Sequence, residues 1–199
     1  MARPILDALR EFTWPRDVNG YRLWDSGKRV VASGAMQENY NPLERHPNLF
    51  GQFAGIPQTP VGVLEFITKF GALTMDGLQS QGEEVASAIE AAKSMAALVR
   101  AVEAKKPKLP PQSRSIHLTM QTGDTAVAGS LKLVPATLLD AMWLQLAEAL
   151  SGGSTIRRCA QCDAWFPAGG SLGRRQDAKF CSDEHRILFN SRKRKSAGP

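Results

Sequence analysis

Four metal-binding side chains near the C-terminus constrain the fold of this chain more than any other feature. Cys159 and Cys162 are separated by two residues, and after eighteen intervening residues come Cys181 and, four positions later, His185. Two residues between cysteines is the spacing of a zinc knuckle, a short turn that aims two thiolates at one ion. Backbone N–H groups of such a turn can hydrogen-bond the sulfurs. The sequence therefore predicts that its last 45 residues fold around one metal ion.

The second pair of ligands lies at a predicted helix start. Ser182 would begin a helix over 182–195, with two acidic residues in the first turn, where negative charge is favoured. Cys181, just before this helix, and His185, one turn into it, can reach the same ion. Three sulfurs and one imidazole then complete a tetrahedron around Zn²⁺. In the alternative, His185 does not bind and a water or another group takes the fourth position.

The number of cysteines favours zinc over an iron–sulfur cluster. Clusters usually take four thiolates, and this chain has three cysteines. An odd number, without the apolar core of a signal peptide, also argues against a disulfide framework. A catalytic zinc keeps one coordination position open, whereas four candidate ligands fill every position here, which favours a structural ion. So small a module has little core of its own, and metal binding would supply much of its folding energy.

The positive charge of the chain is concentrated in the same segment. The net charge is +6, and residues 155–199 hold ten Lys or Arg against four Asp or Glu, while the other 154 residues sum to zero. This concentration predicts a polyanionic partner, most simply nucleic acid. The alternative is a solvated tail that only keeps the protein soluble.

The basic residues fall on the predicted helix and on the loop between the two ligand pairs. Two glycines in that loop would let it approach a nucleic-acid backbone closely. We expect mainly phosphate contacts, which give affinity without sequence information, although Asn and Arg can also read base edges. DNA is favoured over RNA as the partner. The predicted nucleic-acid-binding residues are Arg174, Arg175, Lys179, Arg186, Asn190, Arg192, Lys193, Arg194 and Lys195.

The rest of the chain predicts a mainly helical α+β domain over 1–153, followed by a treble-clef-like zinc finger over 154–199. Two β-hairpins are expected in the larger domain. Residues 21–24 and 29–32 would pair around a tight turn at Gly27, and a second hairpin would lie within 116–134. Helices are predicted over 1–12, from 40–43 onward, from Thr59–Pro60 onward, over 83–104 and over 138–150, with a proline-rich linker over 105–114.

Membrane and enzyme functions lack sequence signals. There is no run of about 18 apolar residues, so no membrane span is predicted, and we expect a cytoplasmic protein. No nucleophile–base pair or second carboxylate cluster has motif-like spacing, so we expect no catalytic residues and no enzyme. The remaining enzyme hypothesis is a nucleic-acid-processing activity, which metal-dependent turnover of a nucleic acid would reveal.

From about Leu131 onward the sequence resembles the bacterial CGNR zinc-finger family, whose N-terminal part is called the ABATE domain. The stretch from Tyr40 to Ala54 is loosely similar as well. The matching features of the C-terminal part are Leu133-Val-Pro135, Arg157-Arg-Cys159, Cys162, Trp165-Phe166, Arg174-Arg175, Lys179-Phe-Cys-Ser182 and Arg192-Lys-Arg-Lys195.

This resemblance implies a transcription regulator whose finger binds DNA, and it places the three cysteines in the first three ligand positions. His185 stands where the family has its fourth cysteine, which opens the namesake Cys-Gly-Asn-Arg. This chain has His185-Arg-Ile-Leu there, so the base contacts of that motif are not implied. The N-terminal domain would bind a ligand or form a homodimer. The alternative function is a structural zinc module whose basic helix docks on an acidic protein or a ribonucleoprotein complex.

Overall fold

Helices and short antiparallel sheets make up the α+β fold seen in the computed structural model, which describes residues 9–79, 81–104, 116–122, 131–170 and 173–196. The helices are α1 (Pro42–Arg45), α2 (Leu49–Ala54), α3 (Pro60–Phe70), α4 (Val85–Glu103), α5 (Leu138–Ser151) and α6 (Asp183–Ser196). The strands are β1 (Trp14–Asp17), β2 (Tyr21–Trp24), β3 (Arg29–Ala32), β4 (Gln37–Tyr40), β5 (Glu83–Glu84), β6 (Leu118–Thr122), β7 (Leu131–Pro135), β8 (Thr155–Arg158) and β9 (Trp165–Ala168). In the part of the chain that the structure describes, no helix has the length and apolar character to cross a bilayer.

The first predicted hairpin is confirmed as the antiparallel pair β2–β3, with Tyr21 opposite Ala32. The connecting residues 25–27 all have positive φ angles, including +82° at Gly27. Strand β5 pairs with β3 on its other side. A pair that was not predicted, β1–β4, flanks this hairpin in the sequence. Its buried Asp17 carboxylate accepts N–H hydrogen bonds from Asn19 at 2.7 Å and Gly34 at 2.9 Å.

Two helix starts follow directly from their capping residues. The side-chain oxygen of Asn41 accepts the N–H of Leu43 at 2.9 Å, and Pro42 occupies the first turn of α1. Thr59 likewise accepts the N–H of Gly62 at 3.2 Å and starts α3. The single helix predicted from residues 40–43 onward is instead two helices, α1 and α2, which residues 46–48 separate.

Other predicted elements are found close to their expected places. Helices α4 and α5 cover most of 83–104 and 138–150. Strands β6 and β7 pair antiparallel, as the second hairpin requires, while residues 123–130 lie outside the described residues. The linker over 105–114 and residues 1–8 of the first predicted helix also lie outside them. Residues 9–11 are helical.

The main hydrophobic core lies among α2, α3, α4 and α5. Its largest fully buried side chains include Phe50, Phe53, Phe70, Met95 and Met142. The carbonyl and amide groups of Gln145 bridge α5 to the segment before α2. The Gln145 carbonyl accepts the N–H of Phe50 at 3.1 Å, and its amide donates to the His46 carbonyl at 3.1 Å. This bridge fixes the loop at 46–48, which forms part of one wall of a cleft.

The β8–β9 hairpin packs into the same core. Ile156 and Trp165 belong to the main cluster of buried residues. A Cβ added to Gly51 would lie 1.9 Å from the carbonyl oxygen of Trp165, so α2 and β9 approach each other backbone to backbone. The buried Asn48 amide also donates to that carbonyl at 3.4 Å. The predicted domain boundary after residue 153 stays a prediction, with β8 and β9 sharing a core with α2 and α4.

Candidate metal centre

The four predicted ligands lie together and could hold one metal ion. Their ligand atoms, three Sγ and one imidazole nitrogen, all lie within 4.8 Å of one another. Cys162 Sγ is 3.8 Å from Cys181 Sγ, and Cys159 Sγ is 3.7 Å from His185 Nδ1. In a tetrahedral site with Zn–S bonds of about 2.3 Å, two sulfurs lie about 3.8 Å apart. The spacing of the donors therefore fits an ion of that size.

The turn between β8 and β9 presents the first two cysteines. The N–H of Cys159 donates to the Ala164 carbonyl at 3.0 Å, and the N–H of Asp163 donates back to the Cys159 carbonyl at 2.9 Å. Asp163 has a φ of +57°, a conformation that aspartate tolerates better than most residues. From the other ligand pair, the N–H of Cys181 donates to Cys159 Sγ at 3.4 Å. This N–H contact comes from outside the turn, and the N–H groups of residues 161 and 162 supply the contacts expected from the turn itself.

Helix α6 positions the other two ligands. The hydroxyl oxygen of Ser182 accepts the N–H of His185 at 3.1 Å, so the predicted N-cap is confirmed. Phe180 and Phe189, before and within α6, pack with ring centroids 5.2 Å apart. Phe166 is buried in a small second core with Cys159. These contacts hold the helix against the knuckle and bring His185 to the sulfurs.

Electrostatics within the cluster favour a bound cation. Burial raises the pKa of the Cys159 thiol, but N–H hydrogen bonds from residues 181, 161 and 162 and the His185 side chain outweigh it, giving a pKa of about 6. Burial also raises the pKa of Cys162. For Cys181, burial and then the neighbouring sulfurs raise the pKa. One thiolate is thus favoured, while further negative charge requires a compensating cation, which is why metal binding to thiols releases protons.

The loop and the first turn of α6 bring four of the predicted nucleic-acid-binding residues together. Arg174, Arg175, Lys179 and Arg186 line one surface depression of about 560 Å³. Arg174 donates to the Asp183 carboxylate at 2.6 Å, and Arg186 Nε lies 3.6 Å from the same oxygen. The shared carboxylate orders these two guanidinium groups at the N-terminal end of α6.

The second half of α6 exposes four more of the predicted nucleic-acid-binding residues: Asn190, Arg192, Lys193 and Arg194. They do not line the depression, and Lys195 follows them in the same helix. Ile187 and Leu188 of the same helix are 61% and 41% exposed. Helix α6 therefore presents both basic and apolar side chains to the solvent.

Trp165 packs into the main domain and leaves no ring surface for base stacking. Its side chain is only 2% exposed and lies in the main core. The indole N–H donates to a Glu103 carboxylate oxygen at 3.2 Å. Guanidinium groups of Arg158 and Arg100 lie 4.2 Å and 5.7 Å from the ring centroid. The indole thus connects the finger to α4.

Sequence reasoning missed a cleft of about 750 Å³ beside the metal centre, bounded on its other side by residues 46–58. Lys69 of α3, Arg100 of α4 and Arg158 of β8 line it together with Arg174. Their separation in the chain leaves no local pattern that could have linked them. The fold alone brings these cations to one place.

Neither models of protein families, nor curated proteins, nor solved structures give a match to this chain. The case for the metal centre therefore rests on the geometry of its own four side chains. The similarity to the CGNR zinc-finger family stays a prediction.

Proposed function

We propose that the protein holds a structural Zn²⁺ ion at Cys159, Cys162, Cys181 and His185, and that the finger built around this ion binds nucleic acid. Duplex DNA is the proposed partner and transcription regulation the proposed role, in line with the resemblance to the CGNR zinc-finger family. The observation that carries the proposal is the position of α6. Its first turn supplies His185, and its second half carries exposed cations.

The donor set supports zinc. Thiolate and imidazole ligands suit this ion, and its lack of a d-electron preference lets it accept a tetrahedral arrangement of three sulfurs and one nitrogen. With four protein donors, no coordination position remains for a catalytic water. The ion would brace the turn after β8 against the start of α6.

The exposed cations support nucleic-acid binding. Arg192, Lys193 and Arg194 stand in consecutive positions of α6, and consecutive helical positions point in different directions. They can therefore reach phosphates on both sides of the helix. Phosphate contacts dominate the affinity of most DNA-binding proteins and release condensed counterions. The close contact of the finger with α2 would hold α6 at a fixed orientation during binding.

The test is a salt titration of duplex-DNA binding by the zinc-loaded full chain. One variant replaces Arg192, Lys193 and Arg194 by glutamine. A matched control removes three exposed charges outside the finger: Arg10→Gln, Arg22→Gln and Lys93→Gln. The net charge is the same in both variants, so a general effect of charge would appear in each.

For the wild type, the logarithm of the binding constant should fall with the logarithm of the salt concentration. Each phosphate contact contributes a slope of about −0.9, so loss of three contacts should make the slope shallower by about 2.7. The control should keep the wild-type slope. Equal effects of the two variants, or no binding at low salt, would refute nucleic-acid binding through α6.

A second candidate function is docking on an acidic protein. The exposure of Ile187 and Leu188 favours it, because apolar side chains on a basic helix suit a protein surface better than phosphates. Replacing both residues by serine should leave DNA binding unchanged if phosphate contacts dominate. The same replacement should abolish binding of the acidic protein if α6 docks on such a partner.

A further inference from the structure

The cleft beside the metal centre has the size and polarity of a ligand site. Its volume of about 750 Å³ falls within the range of small-molecule pockets, which is roughly 300–1,000 Å³. One wall is the segment 46–58, held to α5 by Gln145 and to β9 by Asn48. The opposite wall is the finger, with Ser182 and three of the four metal ligands, Cys162, Cys181 and His185. Both walls are therefore built on ordered elements of the fold.

Among the charged side chains that line this cleft, cations outnumber carboxylates. Lys69, Arg100, Arg158 and Arg174 face two acidic residues, Asp163 and Glu184. Arg158 already pairs with Asp163. Asp183 pairs with Arg174, and a zinc ion with three thiolates and a neutral imidazole would add one further negative charge, so the formal charges around the cleft balance. The positive charge open to an anionic ligand is therefore that of Lys69 and Arg100.

Two of the cations have no carboxylate partner within the described residues. The Lys69 ammonium lies 4.9 Å from the centroid of the Phe70 ring, and the Arg100 guanidinium lies near Trp165. Arg100 and Arg158 approach the same buried indole, one from α4 and the other from β8. The Glu103 carboxylate on the indole N–H and the Asp163 carboxylate on Arg158 offset part of the repulsion between these two guanidinium groups, and a bound anion would relieve the rest.

Phosphate suits this arrangement better than a carboxylate does. Guanidinium groups donate paired hydrogen bonds to phosphate oxygens, and a phosphate offers a third oxygen to a further donor. Lys69 stands in the lining as that donor, and the amide groups of Gln52 and Gln58 provide neutral ones. The space beyond a single phosphate is large enough for the rest of a nucleotide-sized molecule.

We propose that this cleft binds a small phosphate-bearing anion of nucleotide size, with Arg100 as a principal contact. The inference does not depend on nucleic-acid binding by α6. A ligand in this place would touch both α4 and the finger, because Arg100 and Arg174 come from these two parts. It would thereby strengthen the junction between them.

The experiment measures binding of three probes, inorganic phosphate, adenosine monophosphate and a duplex oligonucleotide, to the zinc-loaded full chain by titration calorimetry at constant ionic strength. Arg100→Gln removes one cation of the cleft at an exposed position, so folding should persist. Arg22→Gln removes an equally exposed arginine of β2 and serves as the matched control. Zinc content and thermal unfolding are recorded for each protein.

We expect one site that binds adenosine monophosphate more tightly than phosphate. Arg100→Gln should weaken it about tenfold or more, as loss of a charge-assisted hydrogen bond implies. Arg22→Gln should bind as the wild type does. The proposal is overturned if neither phosphate nor adenosine monophosphate binds the wild type at millimolar concentration, or if both variants lose the same affinity. It is also overturned if Arg100→Gln weakens binding of oligonucleotides alone, since the cleft would then be part of a nucleic-acid path.

Discussion

Replacing Gly51 by alanine tests the junction between α2 and β9. The new Cβ would lie 1.9 Å from the carbonyl oxygen of Trp165, 2.7 Å from its carbonyl carbon and 3.2 Å from its Cα. All three are backbone atoms of a buried strand, so no side-chain rotation can relieve the overlap. Either α2 or β9 must move, and Asn48, which donates to the same carbonyl, would move with them.

Two opposing effects decide how much Gly51→Ala changes the free energy of unfolding. Alanine is better than glycine inside a helix by about 1 kcal/mol, which favours the variant. Overpacking a well-packed interior costs typically about 1–3 kcal/mol and occasionally more, and a backbone overlap this short belongs at the upper end. We therefore expect a net loss of about 2 kcal/mol in the free energy of unfolding. For a chain of this size, that is a fall in Tm of about 4–8 °C.

The assay is thermal and urea unfolding of the zinc-loaded protein, followed by circular dichroism at fixed protein and zinc concentrations. Gly55→Ala is the matched control. Its Cβ would meet its nearest atom, the carbonyl oxygen of Gly51, at 3.4 Å. The control should stay within about 0.5 kcal/mol of the wild type, as is usual for substitutions without a steric conflict. A Gly51→Ala protein as stable as the wild type, or more stable, would refute the tight approach of α2 and β9.

Three further predictions concern the metal centre and a buried carboxylate. Removing the ion with a chelator, or replacing Cys181 by serine, should make residues 155–195 sensitive to protease while the helical signal of α2–α5 persists; unchanged resistance would exclude a structural ion. Zinc affinity, measured by competition with a chromophoric chelator, should fall steeply between about pH 7 and 5 because protons compete for the thiolates, and a flat profile would contradict thiolate ligation. Burial raises the pKa of the Glu83 carboxyl above its usual 4.5, although N–H hydrogen bonds from Thr74 and Leu73 lower it in part. The folded state therefore binds the carboxyl proton more tightly than the unfolded state does. The contribution of Glu83 to the free energy of unfolding should therefore grow as the pH falls through the raised pKa towards 4.5, and Glu83→Gln should remove that dependence in urea unfolding across this pH range.

Local signals in the sequence predicted the elements that depend on neighbouring residues. A capping side chain followed by proline marked the start of α3, since both act within one helical turn. Ser182 marked α6 in the same way. The spacing of the four ligands identified the cluster because a two-residue turn and one helical turn fix their reach. Each of these inferences needs only a few consecutive residues.

Features that depend on distant contacts escaped sequence reasoning. Strands β1 and β4 lack a clear alternation of apolar residues, and their pairing spans the intervening hairpin. The main core buries Trp165 against α2 and α4, more than sixty residues away in the chain. The cleft with Lys69 and Arg100 forms only where the fold brings separate elements together. No pattern within one segment of the sequence encodes a contact between distant elements.

The shared core has a consequence for the portability of the finger. Ile156 and Trp165 are covered by helices that precede the finger in the chain, so a fragment containing only residues 154–199 would expose both. Such a fragment would expose an aggregation-prone apolar surface even with its ion bound. Transplanting the finger into another protein would thus require an acceptor with a glycine in the position of Gly51. The acceptor would also need an apolar surface against which the indole could pack. Exchange between proteins by recombination would have to carry α2 and α4 along with the zinc ligands.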